Sequence, residues 1–475
     1  MSVTIFPMEE QYKEYLIDES KFTGNADSIS FPETESEIRE VLEHLGKDVK
    51  ITIQGGKTGI TGAAVPEEGH ILNLSHMNKV KDGEVHSDGT ASVTVEPGIT
   101  LMDLKKEIDS MFRKTPVFWP PDPTETSATV GGVAAENAEG ICRILYGPAR
   151  DYIEKIRVLY PDGTVQEIGW GEKIVLASGK EMEKMDTVLG KEGITGIITE
   201  LTLKLLPKPE SLWGIAFFFR DTGEAGQFVD SLKEELPSCE TAAVAAVEYI
   251  DRKTMDLIEE RKPSMSKIKE LPDIEQEITD MVYLEIQGQE EGIEEIAECL
   301  MEKAAECGSD PDEAWAVSGE AEIEKMHAFR HAAAETANLF IEGVRRTNKE
   351  ITKLGTDMAV ADAGFSEILK KSREDIAKSG LSACIFGHAM ENHLHINLLP
   401  ENKEEYEEGI RLLSRWAKET STHGKVIGEH GIGKLKKKIL GDSVPGDYLE
   451  VCRELKQQYD SVYRLNPGNI IETEE

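Results

Sequence analysis

No two cysteines in this sequence are spaced Cys-x-x-Cys; the six present stand singly at positions 142, 239, 299, 307, 384 and 452. The chain therefore offers no framework for its own iron–sulfur cluster, cysteine zinc ribbon or haem attachment. Isolated thiols of this kind fit a reducing compartment. Long apolar runs are missing as well, and nothing approaches the roughly 18 consecutive apolar residues of a membrane span. The first twenty residues are acidic and lack the basic-then-apolar order of a secretory signal. Positive charge is scarce: 53 Lys and Arg against 90 Asp and Glu leave a net charge of −37. A field of that sign repels phosphate backbones and anionic headgroups, which argues against nucleic-acid and membrane partners. These deficits describe a soluble, cytoplasmic protein. Its 475 residues imply two to four domains at about 100–200 residues each. If it handles electrons, it holds an organic cofactor or passes them to another chain.

What is present changes texture near residue 208. Before it, short β-rich runs alternate with glycine-rich turns: Ile51-Thr52-Ile53, Ile71 to Leu74, Ala91 to Glu96, and the period-two strand Glu200 to Leu206. Pro207-Lys208-Pro209 then makes a stiff break. After it, strand-like segments (Ile215–Phe219, Met281–Ile286) alternate with Glu- and Ala-rich helical stretches at 290–307 and 321–341. That pattern predicts an α+β domain with helices over one sheet face. The acidic residues are spread along these helices, as a solvated surface.

Three glycine loops crowd the first part. Gln54 to Gly62 follows a strand and carries four glycines in eight positions. It is not a P-loop, because position 51 is Ile, and it lacks the Rossmann Gly-x-Gly-x-x-Gly spacing. Such a backbone can approach a ligand closely and converge its N–H groups on an anion; a plain turn is the simpler reading. A second loop runs from Trp119-Pro120-Pro121-Asp122-Pro123 to Gly131-Gly132 and on through Asn137, Gly140 and Tyr146-Gly147. The third, Gly190 to Ile198, feeds the late strand. Three such loops in one domain suggest one long cofactor threaded past them.

Downstream, His388, His393 and His395 fall within eight positions of a chain that holds eleven histidines. Alternation over 393–398 places His393, His395 and Asn397 on one strand face, with Leu394, Ile396 and Leu398 toward a core. His388 ends the preceding strand, and a short loop can return it beside His395. Converging imidazoles suit zinc, iron or manganese, or else are hydrogen-bonded histidines on a polar face. Gly428-Glu429-His430-Gly431 adds a carboxylate and an imidazole of the types used as metal ligand and general base. The lysines at 434 and 436–438 read as a solvated helix start rather than an anion site.

Together and in this order, these motifs resemble the FAD-linked oxidoreductases of the vanillyl-alcohol oxidase / p-cresol methylhydroxylase type. Within them the match is to the D-lactate dehydrogenase / glycolate oxidase flavoprotein branch, which includes D-2-hydroxyglutarate dehydrogenase. The resemblance spans Asp18-Glu19-Ser20 to Asn466 through Ile471. It implies an α+β fold: a two-subdomain FAD-binding domain at 1–208, a cap domain with an antiparallel sheet at 209–425, and a segment 426–475 that returns to the flavin. Non-covalent FAD would lie on Gly55, Gly56, Lys57, Thr58, Gly59, Thr61 and Gly62. It would continue over Pro121, Asp122, Ser127, Gly131, Gly132, Asn137, Tyr146 and Gly147, then Glu192, Gly193, Gly196 and Ile198, with Asn466 nearby. The resemblance makes His388, His395 and Glu429 ligands of a divalent metal, zinc or iron/manganese, and His430 the catalytic base. Asn397 accompanies the ligands, and Arg330 and Lys353 match substrate-binding positions. The chain departs from the family where Met390-Glu391-Asn392-His393 replaces Gly-Asp-Gly-Asn, which leaves His393 as a competing ligand or a substrate contact. Asn137-Ala138-Glu139-Gly140 likewise replaces Asn-Ala-Gly-Gly.

The implied reaction is oxidation of a D-2-hydroxy acid, D-lactate or glycolate, to its 2-oxo acid. Electrons would pass to a protein acceptor, an electron-transferring flavoprotein or an iron–sulfur subunit. A non-catalytic FAD-binding subunit, or an oxidase of another alcohol such as an aldonolactone, is the alternative; the histidine and Glu-His motifs count against both.

Overall fold

The computed structural model describes residues 4–472 apart from 124, 361 and 362. Position 124, inside the second glycine loop, thus lies outside the described residues. The chain forms two compact units. The first gathers 1–140, 147–208 and 429–475; the second gathers 141–146 and 209–428. Residues 141–146, read from sequence as part of a cofactor loop, belong to the second unit.

The first unit contains two main sheets. One has the order Ile5–Pro7, Ser28–Ser30, His70–Asn73, Ile51–Gln54, with the last three strands parallel. The other is antiparallel, in the order Val80–Val85, Ala91–Val95, Ile197–Pro207, Ile153–Leu159, Val165–Gly169. The alternation seen in sequence is the alternation seen in burial. Ala91, Val93 and Val95 are buried and pack with Leu201, Leu203 and Leu205, while Ser92 and Thr94 are half-buried. Period-two spacing sends every second side chain to the same face, so one set makes the core. Threonines start the helices Glu35–Leu45, Leu101–Met111 and Val130–Glu136, each hydroxyl accepting a backbone N–H of the first turn.

The second unit is built on one antiparallel sheet: Trp315–Ser318, Ser211–Phe219, Asp280–Gly288, Ala242–Asp251, Ala383–His388, His393–Leu398, Leu354–Gly355. Met358–Ala359 also pairs with His393–Leu398. Here the expectation of helices on one face is corrected, because they cover both. Phe217 and Phe219 meet Phe228 of the Thr222–Glu234 helix. Their neighbours Ala216 and Phe218 cluster with Met326 and Phe329 of the Glu320–Arg345 helix. The signal was the unbroken apolar run Ile215–Phe219, since a strand buried on both faces has no polar alternate. Among the described residues no helix is long and apolar enough to cross a membrane.

Candidate cofactor loops and a buried histidine face

In the first unit the glycine loops are tied to one another by side chains. Asn466, itself in a left-handed conformation, accepts the N–H of Ile53 at 2.7 Å and donates to the Glu192 carbonyl at 2.6 Å. The strand before the first loop is thereby fixed to the third. Gly193 has φ +68°, and a Cβ there would lie 2.6 Å from Asn466 Nδ2. A Cβ on Gly55 would lie 2.1 Å from Thr129 Oγ1, so the first loop rests on the second. Gly56 faces the Ser127 carbonyl, Gly131 packs on Pro97, Gly140 on Asp122 and Gly196 on Val158. Asn137 closes the Val130–Glu136 helix at φ +52° and accepts the N–H of Arg150. Pro121 and Ile198 are buried.

Other residues of the set are engaged elsewhere. Lys57 donates to the Glu14 carbonyl at 2.8 Å and sits 4.2 Å above the Tyr15 ring. Its ammonium is held on protein groups, unlike a P-loop lysine. Tyr146, in the second unit, donates to Gln287 Oε1 at 2.5 Å.

The segment after His430 locks onto the same loops. Glu192 is buried and accepts the N–H groups of Ile432 and Gly433. Burial raises its carboxyl above the ordinary range, and those N–H groups only partly offset this. The expectation of solvated lysines is corrected for two of them, since Lys434 and Lys436 are buried. Lys434 Nζ donates to Asn469 Oδ1 at 2.7 Å, and burial lowers its ammonium to about 8. A loop that folds back into the interior carries its lysines with it. The donor set fits an anionic cofactor, since the loops bring glycine backbone and a buried ammonium together. At Gly59 no atom lies within 4 Å of a Cβ position, so the loop backbone borders open space.

The second unit carries the histidines. Ala383–His388 and His393–Leu398 form a tight hairpin in which His388 pairs with His393 and Phe386 with His395. Cross-strand pairs share a sheet face, so all three imidazoles point the same way. Their ring centroids are 5.5 Å apart for His388–His393, 5.4 Å for His388–His395 and 4.8 Å for His393–His395. All three are buried.

Carboxylates surround them. Glu248, fully buried on the adjacent strand, stands 2.5 Å from His388 Nδ1 through Oε1 and 2.5 Å from Arg330 Nε through Oε2. Burial alone would raise its carboxyl, but the His388 ring and the Arg330 guanidinium facing its two oxygens hold it down at about 2. Asp357 lies 3.0 Å from His393 Nε2 and accepts the Gly428 N–H at 3.1 Å. Arg143 Nη1 lies 2.9 Å from His393 Nδ1, so His393 accepts there and donates from Nε2 to Asp357. Asp357, His393 and His395 offer ligand atoms within 4.8 Å of one another, a spacing that can hold a cation.

Of the remaining expected residues, Asn397 shares the His395 face and donates to the His395 carbonyl at 3.2 Å. Lys353 Nζ donates to Asn338 Oδ1 at 2.8 Å. Arg330 is the residue expected to grip a substrate carboxylate. Here it is buried, spends Nε on Glu248 and lies over the Phe386 ring at 4.9 Å. Glu429 and His430 open the segment that belongs to the first unit, with His430 Nε2 3.4 Å from Glu429 Oε1. Sequence reasoning missed Glu248, Asp357 and Arg143. For Glu248 a signal existed: it is the one ionisable residue in the apolar run Ala242–Ile250 apart from Tyr249. Such a residue inside a buried strand needs a partner.

The pattern described as FAD linked oxidases, C-terminal domain, matches residues 208–470. The chain belongs to this family. The FAD binding domain pattern matches residues 26–169. Similar proteins include the glycolate oxidase subunit GlcD of Bacillus subtilis, 26% identical over 95% of this chain and 90% of that protein. A D-lactate dehydrogenase of Archaeoglobus fulgidus is 27% identical over 93% of this chain and 90% of its own. Among solved structures, p-cresol methylhydroxylase aligns with a TM-score of 0.74 at 17% identity, covering 98% and 94% of the two chains. Chitooligosaccharide oxidase aligns at 0.67 and 14% identity, covering 99% and 98%. These two show the fold, and the two family patterns mark its FAD-binding and C-terminal parts. The chain is an FAD-linked oxidoreductase.

Proposed function

We propose that this protein oxidises a D-2-hydroxy acid, D-lactate or glycolate, to the 2-oxo acid. The observation that carries the reading is the buried hairpin face on which His388 and His395 meet, in a chain whose relatives include D-lactate dehydrogenases and a glycolate oxidase subunit. His388, His395 and Glu429 would hold a divalent cation, which supplies Lewis-acid polarisation of the substrate hydroxyl when bound. FAD, which the glycine loops and Asn466 would hold non-covalently, would supply the hydride acceptor when bound.

The chain's own residues do the rest. His430 takes the hydroxyl proton as general base. Asn397 and Lys353 position the substrate. His393 is a wall residue in this reading, because both its nitrogens are engaged and a guanidinium beside it opposes a cation. Arg330, whose Nε rests on Glu248, and Lys353 would grip the substrate carboxylate. The electron acceptor is a separate protein, an electron-transferring flavoprotein or an iron–sulfur subunit. The absence of any Cys-x-x-Cys and the charge of −37 support this, because such a field speeds encounter with a basic patch.

Purified protein should be yellow and release FAD on denaturation. Anaerobic D-lactate or glycolate should bleach the flavin. Chelation should stop the bleaching and leave the flavin bound. Full bleaching in chelator-stripped protein would remove the metal from the reading. Reoxidation by air-saturated buffer at the turnover rate would remove the protein acceptor.

A further inference from the structure

We propose that Glu248 is a positioning residue that fixes the tautomer of His388, and that Arg330 serves to hold Glu248 in place. The inference rests on the reading of His388 as a metal ligand and adds how this chain prepares that ligand.

An imidazole has two nitrogens, and a neutral one carries its proton on one of them. A metal needs the bare nitrogen, so whatever the other one meets decides whether the ring can coordinate. His388 turns Nδ1 to Glu248 Oε1 at 2.5 Å. A carboxylate only accepts, so Nδ1 must carry the proton, and Nε2 is left as the coordinating atom. The same carboxylate accepts from Arg330 Nε through its second oxygen at 2.5 Å. Glu248 is fully buried, and among the described residues each of its oxygens has one partner, on different elements: the Ala383–His388 strand and the Glu320–Arg345 helix. Neither partner is its neighbour in sequence, since Glu248 is 82 residues from Arg330 and 140 from His388. A carboxylate buried without its guanidinium would lose its charge or its place. Arg330 thus secures the acceptor that secures the proton.

The carboxylate is needed because a carboxamide cannot do the same work. Glu248→Gln keeps the size but has one acceptor oxygen for two donors. The guanidinium cannot give up its proton, so it takes that oxygen. The amide NH₂ then faces His388 Nδ1, which must accept, and the proton moves to Nε2. The ring is still hydrogen-bonded and still packed, but it is in the wrong tautomer for coordination. Removing the guanidinium as well should reverse this. In the double variant Glu248→Gln, Arg330→Met the oxygen is released to His388, and the proton returns to Nδ1.

The test uses the full chain with FAD bound, stripped by chelator. Co²⁺ or Zn²⁺ alone is titrated against a competing chromophoric chelator, and ¹⁵N-histidine NMR of the metal-free protein reads the tautomer. The parental chain should bind one ion and show His388 protonated on Nδ1. Glu248→Gln should weaken the ion roughly 10- to 100-fold and move the proton to Nε2, with flavin content unchanged. The double variant should recover most of the affinity. A structural role alone would give no such recovery, since it removes a second buried group. Parental affinity in Glu248→Gln, with His388→Ala losing the ion, would overturn the inference and leave the metal reading standing. Parental affinity in His388→Ala would overturn the metal reading, and the inference with it. Should Glu248→Gln fail to fold, the double variant carries the test: without the buried charge pair it should bind the ion, and failure to bind would overturn the proposal.

Discussion

In the proposed reading the two units would hold their ligands with different parts of the polypeptide. In the first, the working surface is backbone. Glycines and left-handed residues such as Lys57, Glu192 and Asn466 bring loops into contact, and side chains such as Asn466 serve to fix main-chain groups. In the second, the working surface is side chain, with imidazoles on a regular hairpin and carboxylates set against them from other elements. The histidines make the contrast plain. His70, in the first unit, is buried between Ser28 Oγ and Ser30 Oγ, and burial lowers its imidazole to about 4. It is a neutral core residue. His388 and His393 face carboxylates instead. A backbone-built site tolerates many side chains and few added Cβ atoms, whereas a side-chain-built site tolerates the reverse.

That contrast can be broken at several points. The largest effect should come from His430→Ala, which should slow flavin reduction by D-lactate or glycolate roughly 10²- to 10⁴-fold with the flavin still bound. Anaerobic stopped-flow absorbance measures both; a variant that bleaches at the parental rate places the base elsewhere, with His393 the next candidate. Next is Arg330→Met, which strands a buried carboxylate at Glu248 and should cost about 3–5 kcal/mol. In urea unfolding followed by hydrogen exchange, the loss should fall on the second unit's strands and spare the first unit's.

A third test is specific to the first unit. Asp18 is buried, and among the described residues its Oδ2 has no hydrogen-bond partner. Burial, only partly offset by Ser20 and Lys434, raises its carboxyl from the ordinary 3.8 to about 6. Between those values the folded chain binds a proton that the unfolded chain has released, so stability falls as pH rises from about 4 to about 6. The penalty is on the order of 3 kcal/mol at neutral pH, at about 1.4 kcal/mol per unit. Asp18→Asn should flatten that part of the melting-temperature profile, and an unchanged profile would show that Asp18 is not its source. The smallest effect should be Gly193→Ala. A left-handed conformation costs a residue with a Cβ about 1–2 kcal/mol, and the new atom presses on Asn466. FAD content per chain should drop, as read from released flavin absorbance, while Co²⁺ affinity stays parental.

Much of the fold was visible in one dimension. Strands at Ile51–Gln54, Ala91–Val95 and Ile197–Pro207 follow from alternation and the turn residues that bound them. The Ala383–His388 and His393–Leu398 hairpin follows from polar and apolar residues taking turns. Helices over both sheet faces are legible only in the unbroken apolar run Ile215–Phe219, the mark of a strand buried on both sides. Charge alone places Lys434 and Lys436 in solvent, and only the backbone turning inward buries them.

By itself the sequence determined where the chain is glycine-rich enough to lie against a ligand, and which strand face carries His393, His395 and Asn397. Both are local matters of conformational freedom and period. Only the tertiary structure decided that Glu248 stands against His388 and Arg330, that Asp357 and Arg143 occupy both nitrogens of His393, and that Asn466 joins two loops. Those contacts join residues 36 to 413 positions apart. No periodicity reaches that far, and what selects such partners is the need of each buried polar group for a complement where the strands and loops bring it.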